Sequence, residues 1–128
     1  MAANAEWKTG DTWPPIAMVA QKNGEPRDIS TADEIRMIAS MSGTVVFEGT
    51  MGGGLVHFGT VDENGDVVAG DGTDGGVYYL LQENDLDVAM TPEIELEVTL
   101  DDASTPPKIE TYPNNKNRNP KITVTDDL

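Results

Sequence analysis

The chain has 128 residues, no cysteine and a formal net charge of −15. That length suits one domain, which can bury roughly two thirds of its unfolded surface without staples. Lacking cysteine, it can form neither disulfides nor thiolate metal sites, which fits assembly in a reducing cytoplasm.

So acidic a chain repels phosphate backbones, and no nucleic-acid partner is expected. No run approaches the roughly 18 apolar residues of a membrane span, so no membrane partner is expected either. The start MAANAEWKTGD carries no basic head and no apolar stretch, unlike a signal peptide.

Strand and turn signals alternate along the chain at roughly the 8–12-residue spacing of small sandwiches and barrels. Residues 1–9 read as a flexible N-terminal arm. Residues 13–22 read as a first strand entered through Pro14-Pro15, which must be an edge or a strand start because proline cannot donate to a ladder. Asn23-Gly24 is a tight turn, and Glu25-Pro26-Arg27-Asp28 reads as a linker. In residues 34–41, Ile35, Met37, Ala39 and Met41 alternate. A partial helical stripe through Ile35, Met37, Ile38 and Met41 competes, but the short length and the β context favour a strand.

Further strands are expected at 44–48 and 55–61, parted by Gly52-Gly53-Gly54. Asn64-Gly65 is the strongest hairpin signal in the chain. Residues 76–82 follow, with Val77, Tyr79 and Leu81 on one face and Tyr78 and Leu80 on the other. The clearest strand is 93–100. Ile94, Leu96, Val98 and Leu100 point one way, while Glu93, Glu95, Glu97 and Thr99 point the other. Each buried aliphatic there contributes about 1.5–3 kcal/mol.

Residues 108–112 are its expected hairpin partner, with Val98 set opposite Ile109 and Glu97 opposite Glu110. That register puts like charges face to face unless Lys108 screens them. After the polar loop 113–120, residues 122–124 make a last strand. With neither a repeat nor a domain boundary, residues 1–128 read as one all-β sandwich of about eight short antiparallel strands.

Chemistry-bearing residues are sparse. His57 is the only histidine and reads as a structural or surface strand residue. With no second histidine and no cysteine, the usual nucleophile–base pairs and zinc sites lack members. Asp62, Asn64 and Asp66 match the first oxygen ligands of a calcium loop, but Val67 and Thr73 stand where glycine and glutamate are required. The segment from Asp71 to Gly76 matches no phosphate loop, as no lysine follows it.

Glu93, Glu95 and Glu97 sit roughly 6.6–6.8 Å apart along the strand. That is an inverting-glycosidase spacing, but on an exposed face that gives neither carboxyl a reason to stay protonated. No catalytic residue, cofactor or metal is therefore expected. Trp13 is expected to plug one end of the sandwich. Trp7, near the terminus, is a candidate anchor for a partner pocket.

Charge is unevenly placed. No Lys or Arg lies between Met37 and Pro107, a stretch holding fourteen Asp and Glu, whereas Lys108, Lys116, Arg118 and Lys121 crowd the last fifth. The candidate interface residues are therefore Trp7, the acidic row Glu93, Glu95 and Glu97, and the basic Lys116, Arg118 and Lys121, whose opposite signs would steer docking onto neighbours.

Three stretches carry a family resemblance. They are Gly10-Asp11-Thr12-Trp13-Pro14-Pro15-Ile16, then Asn23-Gly24-Glu25-Pro26-Arg27-Asp28-Ile29-Ser30, then Asp74-Gly75-Gly76-Val77-Tyr78-Tyr79-Leu80-Leu81 with residues 92–100 and the closing Ile122-Thr123-Val124. In order and spacing the chain resembles the small immunoglobulin-like virion domains of tailed phages, notably the N-terminal domain of baseplate upper proteins.

The resemblance implies an immunoglobulin-like sandwich without enzymatic activity. Such a subunit would be made in the bacterial cytoplasm, located in the virion, and placed in multiple copies against other tail, baseplate, connector or capsid proteins. The chain ends directly after the domain, without the long extension of an upper baseplate protein, which favours an adaptor or decoration role over receptor linking. A capsid decoration protein and a small carbohydrate- or ligand-binding module are the alternative readings.

Overall fold

The computed structural model describes residues 6–101, 103–112 and 121–126. The fold is all-β. Among the described residues, no helix is long and apolar enough to cross a membrane.

Twelve strands are present among the described residues: β1 (Glu6–Lys8), β2 (Ile16–Val19), β3 (Gln21–Lys22), β4 (Glu25–Pro26), β5 (Glu34–Met41), β6 (Thr44–Thr50), β7 (Val56–Val61), β8 (Val67–Ala69), β9 (Gly76–Tyr79), β10 (Glu93–Asp101), β11 (Lys108–Tyr112) and β12 (Thr123–Thr125). They form two four-stranded antiparallel sheets, ordered β11-β10-β5-β6 and β2-β9-β7-β8, with two-stranded pairs β1-β12 and β3-β4.

Period-two alternation builds the core. Ile35, Met37 and Ala39 of β5, Ile94, Leu96 and Val98 of β10, and Tyr112 of β11 point inward from one sheet. Ile16 and Met18 of β2, Val56 of β7, and Val77 and Tyr79 of β9 meet them from the other in one cluster. Phe47 and Tyr79 stack with centroids 5.5 Å apart. Gly49 makes room for that ring, since a Cβ there would lie 2.6 Å from Tyr79 Cε1. The Tyr79 hydroxyl donates to Asp85 Oδ2 at 2.6 Å, so burial of the ring leaves its polar end satisfied.

The turns follow their chemistry. Asn23 and Gly24 both take positive φ, 55° and 83°, and close the β3-β4 hairpin. Glu25 and Pro26 are thus strand residues rather than a linker. Asp62 Oδ1 accepts the amides of Asn64 and Asp66 at 2.9 and 3.0 Å, organising the loop between β7 and β8. Strand β8 beyond that loop was not expected.

Four readings are corrected. First, the strands outnumber the expected eight, and β1 pairs with β12 in parallel, not antiparallel, through Trp7↔Val124. Second, residues 6–8 of the expected N-terminal arm are therefore part of the fold, while residues 1–5 lie outside the described residues. Third, the two tryptophans exchange roles. Trp7 is 4% exposed and its Nε1 donates to the Pro14 carbonyl at 2.8 Å, so it is a core residue and no free anchor. Trp13 is 53% exposed and plugs nothing.

The fourth correction is the β10-β11 register, which places Val98 against Glu110 and Glu97 against Thr111, with an irregularity between Thr99 and Asp101. Glu97 and Glu110 do not face each other. Glu110 shares the inner face with Val98 and Tyr112, and Ile109 is left outside at 50% exposure. Lys22 Nζ and Arg27 Nη2, on and beside the β3-β4 hairpin, each lie 3.3 Å from a Glu110 oxygen. The Tyr112 hydroxyl also donates to Glu110. Those partners hold the Glu110 carboxyl below its ordinary range, the Tyr112 hydrogen bond foremost.

Candidate functional site

The acidic row lies on the outer face of the β11-β10-β5-β6 sheet. Register sets Glu93 beside Ser40, Glu95 beside Ile38 and Glu97 beside Arg36. One strand further, Ile38 faces Glu48 and Arg36 faces Thr50. With Glu34 beside Thr99, the surface thus holds five glutamates, Glu34, Glu48, Glu93, Glu95 and Glu97, around a single arginine.

Arg36 is the pivot of this face. Its Nη2 lies 2.5 Å from Glu48 Oε1 and its Nη1 lies 3.6 Å from Glu97 Oε1, tying β6, β5 and β10 together. Half-exposed pairs of this kind are each worth under about 1 kcal/mol, so their effect is on surface potential more than on stability. Ile38 is 7% exposed on the outer face and takes no part in the core cluster. It is a small apolar floor beneath the carboxylates.

Of the three basic candidates, Lys121 is exposed, and its backbone bridges to Glu93. The fold therefore brings the start of the acidic row and the end of the basic segment together. Lys116 and Arg118 lie outside the described residues. Trp7 is remote from any such role, being buried. Arg36 and Glu48 were missed by sequence reading, and only the position of Arg36 at the edge of the long stretch without cations hinted at it.

Several other polar residues are engaged locally. His57 stacks on Tyr78 with centroids 5.3 Å apart, and its Nε2 lies 2.8 Å from the Gly54 carbonyl. Asp28 and Asp71 each accept from a serine or threonine two residues on, Ser30 and Thr73, through both hydroxyl and backbone amide. Those bonds hold both carboxyls below their ordinary range. Asp62 Oδ1 likewise accepts amides within its own turn, those of Asn64 and Asp66.

An open sheet face of charged groups can bind by complementarity of charge, and rim charges of this sort mainly tune association rate and salt sensitivity. Comparison with protein-family models, with curated proteins and with solved structures finds no match to this chain.

Proposed function

We propose that the chain is an immunoglobulin-like sandwich that works without enzymatic chemistry, as a tail, baseplate or head–tail adaptor docked onto other subunits of a tailed-phage virion. The observation that carries the fold is strand order. In immunoglobulin variable-type sandwiches one sheet runs G-F-C-C′ and the other contains B-E-D. Here β11-β10-β5-β6 matches the first order and β2-β9-β7 the second. The strand β8 and the parallel β1-β12 pair are additions to that plan.

The virion role is supported by the motif resemblance and by the placement of those motifs. Arg27 donates its amide to the Ala20 carbonyl at 2.8 Å, Ala20 donates to Gly75 at 2.8 Å, and Ile29 donates to Gly72 at 2.9 Å. The glycine-aspartate stretches thus stitch one end of the fold together, a scaffolding use rather than a ligand-binding one. The outer sheet face supplies a docking surface for basic neighbours. Capsid decoration uses the same features, and location separates the two readings.

A density map of the intact particle tests the proposal. A domain-sized density at the tail or connector fits an adaptor, and one repeated over the shell fits decoration. Particles with no such density overturn both.

A further inference from the structure

Strand edges are exposed templates, and folds that leave one open usually guard it. Three of the four outer edges here are short or guarded. β11 turns Glu110 inward and follows Pro106-Pro107. β2 has four residues and is entered through Pro14-Pro15, and β8 has three.

β6 differs. It has seven residues, has β5 as its one strand neighbour among the described residues, and carries no lysine, no proline and no inward charge; only at its end does the Thr50 carbonyl turn to accept the Leu55 amide, at 3.0 Å. Its inward residues are Phe47 and Gly49, while Val45 and Val46 stand 44% and 39% exposed. An irregularity opposite Ala39 and Ser40 disturbs one end of β6, and residues 47–50 stay in regular register with β5.

The charge around that edge selects an occupant. Glu48 stands on the outer face of β6, and Glu34 Oε1 accepts the Gly52 amide at 2.8 Å just past its end. The one arginine nearby, Arg36, is already shared between Glu48 and Glu97. A second copy of the chain is a poor fit, because it would bring together two bodies each of charge −15. A seven-residue edge is also only about 24 Å long. Such a contact falls short of the roughly 1,000 Å² that a stable interface between globular faces needs. A single extended segment avoids both objections.

We propose that β6 is a pairing edge that accepts an extended, lysine- or arginine-bearing segment of another protein as an added strand. Main-chain hydrogen bonds to β6 would supply affinity, and alternate side chains would meet Glu48 on the outer face. That the segment comes from a neighbouring virion subunit rests on the function proposed above; the pairing edge itself does not.

The probe is a short, end-capped peptide alternating lysine with valine, titrated into the isotope-labelled full chain. Amide shifts confined to residues 44–50 and their β5 neighbours are expected, with binding that weakens as salt is raised. The same peptide N-methylated at alternate residues keeps its charge but loses its donors along one edge. It should bind at least about tenfold more weakly, as expected for loss of a few hydrogen bonds.

The double variant V45K/V46K, at two exposed positions, should fold as the parent by circular dichroism and lose the peptide. Equal binding of the N-methylated peptide, shifts centred on Glu93, Glu95 and Glu97, or no shifts at all would overturn the inference. A silent β6 in a protein found on particles sinks this inference alone. A binding β6 in a protein absent from particles sinks the virion reading alone.

Discussion

Replacing Trp7 with alanine should unfasten the N-terminal strand and cost a large part of the domain's stability. Trp7 is 4% exposed, in the core cluster, and hydrogen-bonded through Nε1 to Pro14 at 2.8 Å. Truncating a buried tryptophan costs about 3–5 kcal/mol. Of that, the indole hydrogen bond accounts for about 0.5–1.5 kcal/mol. The total stability of a small domain is about 5–15 kcal/mol, so the loss is a substantial share.

With a urea m-value of about 2 kcal/mol/M, the midpoint should fall by about 2 M. Trp7→Phe separates the contributions: it keeps most of the ring's burial and loses the indole donor, so it should sit much nearer the parent. Far-UV circular dichroism is the probe, because Trp13, the tryptophan left in both variants, is 53% exposed and changes environment little on unfolding. A stability for Trp7→Ala within about 0.5 kcal/mol of the parent, the range of an ordinary surface substitution, would refute the reasoning and restore the free arm.

Other outcomes follow from the same packing and charge. Leu96 is fully buried at the centre of β10, and Leu96→Ala should cost about 2–5 kcal/mol in the same denaturation assay. Glu110→Gln should be less stable than the parent at pH 7. Because the folded-state pKa of Glu110 is depressed, its contribution is present above the unfolded value of about 4.3. It is lost as pH falls through the folded value, so the gap between parent and variant should close in acid. A gap that is constant from pH 7 to pH 2 would exclude a charge-based role. Thermal melts with chelator and with added calcium should coincide, since Val67 and Thr73 stand where a calcium loop needs glycine and glutamate; a clear rise with calcium would reveal a site.

Legibility varied with the kind of information each element needs. β10 was plain because four aliphatics alternate strictly with glutamates and threonine, and that alternation also placed Glu93, Glu95 and Glu97 on the outer face. β1 was invisible: three residues carry no period, and their partner β12 lies at the other end of the chain. The same long-range pairing decides which tryptophan is buried, which no local pattern near Gly10 could reveal. The β10-β11 register misled for a different reason. Keeping apolar residues inside put Ile109 in the core, but Lys22 and Arg27 arrive from a distant hairpin to pair Glu110 on that face. The counter-ion of the acidic face, Arg36, likewise depends on β5 lying between β6 and β10, a fact of topology rather than of composition.

Whether the domain is a virion component, as proposed, is the central question, and quantitative mass spectrometry of purified tailed-phage particles addresses it most directly. The account predicts the protein on the particle at a small, fixed multiple of the tail symmetry. Its absence from particles would contradict the account.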